Sequence, residues 1–268
     1  MGNTNVKTCQ ENGGTFYVET LSGIKSPSLR LVWLPGWAQN RNAFTAFQPF
    51  FEKRALNHFV DCPGFGEAPV PPSDWGTEDY AQGLSQWLSK EPSMPTIIIG
   101  HSFGGRVALQ LANLYPELVQ GLVLIAGAGL KRPKPLRIKL KIFRYKILAK
   151  AVSVFDRLFG THLLQKLRTS FGSTDYKRSG PLRNILVKTV NEDLSTVAAS
   201  ITQPTLLIYG EKDTETPPEY GERFQKLIAN AQLHRLPLFD HYSILAGGRS
   251  QVTSLIAAFL EGFNKKDS

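Results

Sequence analysis

One ten-residue stretch limits the fold more than any other: Thr96-Ile97-Ile98-Ile99-Gly100-His101-Ser102-Phe103-Gly104-Gly105. A β-branched apolar run of strand length stops at Gly100. An Ala- and Leu-rich run with helical character begins at Phe103 and ends before Pro116. Between them lies a turn of the form Gly-x-Ser-x-Gly. A serine at its apex must sit on a strained backbone, which lifts the hydroxyl above the strand ends. The residues two before and two after it must be small, because neighbouring backbone passes close by. A helix starting just beyond the serine aims the positive end of its dipole there and favours a developing oxyanion. Ser102 is therefore the candidate nucleophile. The plainer alternative is a Gly-rich turn that matches by chance, so partners must be sought elsewhere.

Short apolar runs alternate with helical patterns along the chain, as in a mostly parallel, twisted sheet flanked by helices on both faces. Strands are expected at 16–21, 29–34, 58–61, 96–100, 122–125, 205–209 and 233–236, and helices at 77–90, 103–114, 217–229 and 252–263. Residues 1–14, with Cys9, are expected to form a flexible tail. From Lys131 to about Asn191 the alternation breaks: the patterns at 138–154 and 162–169 are helical and no strand is evident. The expected organisation is an α/β core of residues 1–129 and 190–268 with an inserted helical lid, residues 130–189. That insertion falls at the end of a strand, the edge at which open α/β sheets bind ligands. No apolar run approaches the roughly 18–20 residues of a membrane-spanning helix. The first residues lack the apolar stretch of a secretory signal, and Cys9 and Cys62 form no motif. A reducing, cytoplasmic setting is expected.

A serine nucleophile needs a base and a group that orients the base. In a strand–turn–helix frame of this kind the chain order is serine, acid, histidine. Thr205–Tyr209 reads as a buried strand, Gly210 as a turn, and Asp213 as the acid on the following loop. Glu211 and Glu215 are close rivals, and all three acids could be solvated loop charges. Of the five histidines, His58 and His234 fall in expected strands, His101 in the serine turn and His162 in the insert. His241 lies on a loop between the last strand and the last helix, which makes it the candidate base. Its alternative is an ordinary surface-loop residue. Two backbone N–H groups would hold the oxyanion: that of Phe103, next to the serine, and that of Trp37 in Pro35-Gly36-Trp37-Ala38.

Five segments carry a resemblance: Leu34-Pro35-Gly36-Trp37, Asp61-Cys62-Pro63-Gly64-Phe65-Gly66, Gly100–Gly105, Gly210–Asp213 and Phe239-Asp240-His241. Together they resemble the α/β-hydrolase superfamily over most of the chain outside the insert. Within it the pattern is similar to small bacterial carboxylesterases, including, on the Gly36-Trp37 pair, those acting on carrier-protein methyl esters. The resemblance implies a serine hydrolase that cleaves a carboxylic ester through a Ser-His-Asp triad. It implies no metal and no organic cofactor, and no ligand cluster or phosphate-binding glycine loop is seen. The same triad would also serve an acyltransferase, a C–C bond hydrolase or a membrane-acting lipase; a non-enzymatic binding protein on this fold is the remaining alternative. Two positions depart from the superfamily pattern. Pro35 stands where a loop-ordering histidine is usual, and Asp240 stands where glycine commonly precedes the histidine.

Charge is unevenly spread. Residues 131–188 hold sixteen Lys and Arg against two acids, a net +14, whereas the rest of the chain is net −5. Bases there alternate with Leu, Ile and Phe. A solvated face is one reading; an acidic carrier protein or an anionic membrane surface as partner is the other. Nucleic acid is disfavoured, because no recognition motif accompanies the charge.

Overall fold

The computed structural model describes residues 5–131, 136–159, 163 and 180–264. Eight strands form one sheet: β1 (Asn5–Glu11), β2 (Gly14–Leu21), β3 (Arg30–Leu34), β4 (Leu56–Asp61), β5 (Thr96–His101), β6 (Gly121–Ile125), β7 (Thr205–Gly210) and β8 (Ala231–Leu236). Their spatial order is β1-β2-β4-β3-β5-β6-β7-β8, with β3 to β8 parallel and the first two antiparallel. Every residue of β3, β5, β6 and β7 is buried. Central parallel strands are covered on both faces, which is why they read as unbroken apolar runs. The edge strand β8 is half exposed and correspondingly polar.

The expected N-terminal tail is instead a strand. Asn5–Glu11 pairs antiparallel with Gly14–Leu21, and Asn12 and Gly13 both take positive φ, 53° and 77°. An Asn-Gly pair at positive φ is the two-residue turn that suits the twist of a hairpin. The other expected elements occur with ends shifted by one to a few residues. Helices run over Thr77–Leu88, Phe103–Leu114, Leu136–Phe159, Arg183–Asn191, Pro218–Leu227 and Arg249–Asn264. The expected helix at 162–169 lies outside the described residues apart from Leu163.

Chain contacts divide the molecule into two compact units, one of Met1–Leu130 with Lys188–Ser268 and one of Lys131–Val187. In the larger unit, Trp33 on β3 anchors one face of the sheet. Its ring lies 5.2–5.7 Å from those of Phe44, Phe47, Phe51 and Phe59, and its indole N–H donates to Asn57 Oδ1 at 3.0 Å. The carboxamide N–H of Asn57 in turn donates to the Ala55 carbonyl at 2.9 Å, so a buried polar group is satisfied inside an aromatic core. The smaller unit contains the whole helix Leu136–Phe159, on which Arg144, Lys150 and Arg157 are exposed. Among the described residues no helix is long and apolar enough to cross a membrane.

Candidate active site

Parallel strands place all their C-terminal ends at one edge. The loops after β3, β5, β7 and β8 therefore converge, and they carry Gly36–Gln39, Ser102, Asp213 and His241. Residues far apart in sequence meet there because the strands are in register: Leu34 lies beside Gly100, and His101 beside Ile125.

Ser102 has φ 49° and ψ −107°, a conformation that L residues other than glycine rarely adopt. Two glycines make this turn possible. A Cβ on Gly104 would fall 2.1 Å from the Leu34 carbonyl oxygen, and one on Gly100 would fall 2.5 Å from the Gly104 backbone. The turn is held by Ser102 N–H donating to the Ile125 carbonyl at 3.1 Å and by Ala128 N–H donating to the Ser102 carbonyl at 3.2 Å. The helix Phe103–Leu114 starts at the next residue.

His241 Nε2 lies 3.0 Å from Ser102 Oγ, and its Nδ1 lies 2.7 Å from Asp213 Oδ2. Both His241 and Asp213 are buried. Asp213 Oδ1 accepts from the Glu215 and Thr216 amides, each at 2.8 Å, and the Thr216 hydroxyl lies 2.9 Å from Oδ2. Burial by itself would raise this carboxyl. Hydrogen bonds from His241 and Thr216 outweigh it and hold Asp213 below the usual carboxylate range. Thr216 was not singled out in the sequence; its hydroxyl, also 3.1 Å from His241 Nδ1 and 2.9 Å from the Ala126 carbonyl, closes the carboxylate's surroundings.

The two rival acids separate cleanly. Glu211 pairs with Arg235 at 3.2 Å and has no part in the constellation. Glu215 lies close to the imidazole, but on the other nitrogen: its Oε2 is 3.6 Å from His241 Nε2. Asp240, which replaces the glycine common before the histidine, accepts from Tyr242 N–H, Ser243 N–H and the Ser243 hydroxyl at 2.8–3.1 Å. It caps the turn that carries His241.

The loop 35–38 lacks the usual histidine, and Gln39 tethers it. Gly36 N–H donates to Gln39 Oε1 at 2.9 Å, and His101 Nδ1 lies 3.1 Å from the same oxygen. The other nitrogen of His101 donates to the His241 carbonyl at 2.9 Å. One buried ring therefore ties the serine turn to the histidine loop and packs against the Gln39 carboxamide. Nothing in the sequence marks Gln39 for this task, since it depends on the loop folding back on itself. The Trp37 ring packs edge-on against Phe103 and Phe65, with centroids 5.6 and 4.9 Å away. The two residues expected to supply oxyanion amides are thus side by side.

Two buried histidines give the fold a pH dependence. Burial pushes His58 and His101 from 6.5 down to about 3. Both are therefore neutral in the folded protein and take up protons more readily once it unfolds. The stability they contribute is fully present above pH 6.5 and is lost as the pH falls from there toward 3. Each adds at most about 1.4 kcal/mol per pH unit to the slope. Urea unfolding between pH 7.5 and 4.5 is expected to show this decline, and His58→Phe should reduce the slope by about one proton. An unchanged slope in the variant would remove His58 from the account.

Comparison with known proteins completes the picture of the site. The family model described as "alpha/beta hydrolase fold" matches residues 30–247. The chain is 28% identical over 248 residues to a pimeloyl-[acyl-carrier protein] methyl ester esterase of Neisseria meningitidis serogroup B, covering 85% of this chain and 91% of the relative. It is 27% identical over 246 residues to the protein of that name from Shewanella woodyi, covering 84% and 91%. An esterase from Exiguobacterium antarcticum has the same fold, with a TM-score of 0.70 at 21% identity over 95% of this chain and 99% of the other.

Proposed function

The chain belongs to the α/β-hydrolase family, and we propose that it hydrolyses carboxylic esters through a Ser102–His241–Asp213 triad and a covalent acyl-enzyme. The observation that carries this reading is the unbroken chain Ser102 Oγ, His241 Nε2, His241 Nδ1, Asp213 Oδ2, with contacts of 3.0 and 2.7 Å. Asp213 accepts from Nδ1–H and so leaves Nε2 unprotonated and facing the hydroxyl. As Ser102 Oγ attacks the ester carbonyl, its proton passes to Nε2. The charge on the carbonyl oxygen is held by the amides of Trp37 and Phe103. His241 then gives its proton to the departing alcohol. Water, deprotonated by the same nitrogen, attacks the acyl-enzyme and releases the acid.

For the substrate, the names of the relatives and the charge distribution point the same way. An ester carried on an acidic acyl carrier protein fits residues 131–188, at +14, better than the rest of the chain, at −5. We assign residues 130–189 the part of a lid and recruiting surface. The test compares kcat/KM for a methyl ester on an acyl carrier protein, a free neutral methyl ester and an ester in anionic vesicles, each at low and high salt. The expected result is a roughly tenfold loss with salt for the carrier-linked ester and almost none for the free one. Reversing charge at Lys139, Lys141, Arg144 and Lys146 should raise KM for the carrier-linked ester with kcat at saturation retained. Vesicle-borne ester as the salt-sensitive substrate would transfer the assignment to a membrane surface. Identical behaviour of all three substrates would leave the charge a solvated face.

A further inference from the structure

Glu215 sits on the reacting side of the histidine ring. Its Oε2 lies 3.6 Å from His241 Nε2, the nitrogen that lies 3.0 Å from Ser102 Oγ. The other carboxylate of the constellation, Asp213, lies behind the ring on Nδ1 and is buried there. Glu215 is half exposed, with 48% of its side chain open to solvent. Its place is fixed from two sides. Its backbone N–H donates to Asp213 Oδ1 at 2.8 Å, and the Tyr242 hydroxyl donates to its Oε2 at 3.4 Å. Glu215 thus puts a negative charge 3.6 Å from the histidine nitrogen that contacts Ser102 Oγ.

We propose that Glu215 is a specificity-determining residue that sets the charge an acyl group can carry at the reacting centre. The proposal rests on the ester-hydrolase reading above. A neutral ester approaches Ser102 without opposition from Glu215. An acyl group with its own carboxylate near the scissile carbonyl meets like charge there. The same repulsion acts at the end of the reaction. Hydrolysis converts ester and water into alcohol and carboxylic acid, and near neutral pH the acid gives up its proton. The product that forms on Ser102 is then an anion beside Glu215, whereas the substrate was not. One side chain admits neutral esters and speeds departure of the acid. Its effect on the imidazolium of His241 is favourable as well, since that cation forms between two carboxylates.

The test uses dimethyl succinate and monomethyl succinate at pH 7.5. They share a reacting ester and differ in whether the far end carries charge. The wild type should favour the diester strongly in kcat/KM. Glu215→Gln keeps the size and the hydrogen bond from Tyr242 but removes the charge. It should raise kcat/KM on the monoester about tenfold and tighten inhibition by butanoate about fivefold. Tighter binding of an acid product is a gain that loosening of the loop would not produce. An unchanged preference for the diester, or a proportional loss on both esters with no change in butanoate inhibition, would overturn the assignment. Ser102-dependent hydrolysis of dimethyl succinate by the wild type is the control. If that control is absent, the ester-hydrolase reading fails and this inference with it. If it holds and the preference does not move, Glu215 alone is reassigned.

Discussion

Ser102→Ala is expected to lower ester hydrolysis by at least about four orders of magnitude while the protein remains folded. The hydroxyl is the only atom lost, and its partner in the structure is His241 Nε2 at 3.0 Å. The backbone bonds that hold the turn, from Ser102 N–H to Ile125 and from Ala128 N–H to the Ser102 carbonyl, do not use it. Alanine also tolerates φ 49° about as well as serine does, so the variant adds no strain. A fluorophosphonate probe should label the wild type at one serine and leave the variant untouched. Thermal unfolding should coincide for the two proteins within a few degrees. Stoichiometric labelling of the alanine variant would place the nucleophile elsewhere.

Asp213→Asn should lower kcat by about three to four orders of magnitude, a loss almost as large, by a different route. The asparagine oxygen can still accept from the Glu215 and Thr216 amides, so the loop keeps its shape. The new amide nitrogen then faces His241 Nδ1 where Oδ2 stood 2.7 Å away. A donor at that place forces the imidazole into the tautomer with its proton on Nε2, which cannot take a proton from Ser102. The negative charge that would stabilise the imidazolium is lost as well. KM should change far less than kcat, because the defect arises as the transition state forms. Glu211→Gln is the matched control and should alter kcat no more than about threefold, since its partner is the exposed Arg235. If Glu211 were the crippled variant, the acid would be misassigned.

The central sheet was legible because burial on both faces leaves a local trace. Runs such as Ile97-Ile98-Ile99 and Leu206-Leu207-Ile208 have nothing polar to accommodate, and every one of these residues is buried. The first hairpin left almost none. Among Val6, Lys7, Thr8 and Gln10 all four are exposed, so no alternation of apolar and polar residues marked the strand. The Asn12-Gly13 pair was the one available signal, and it indicates a turn without saying what flanks it. Edge strands that bury little are specified by the partner strand, which a local reading does not contain.

The site divides in the same way. Ser102 was readable because a strained turn demands small neighbours at fixed spacing, a constraint that acts within five residues. Asp213 and His241 could be narrowed by chain order and by the strands preceding them, but sequence left Glu211 and Glu215 open. Tertiary structure decided which carboxylate meets Nδ1, because loops after strands separated in sequence converge only once the parallel sheet has formed. It alone brought Gln39 onto the Gly36 amide, in the loop that Pro35 leaves without its usual histidine, and His101 onto the His241 carbonyl. It alone placed Glu215 on the second nitrogen of His241. Strand burial and turn strain are local and therefore written in short stretches of sequence. Hydrogen-bond partnership across 139 residues, as between His241 and Ser102, depends on register and packing, which exist only in the folded chain.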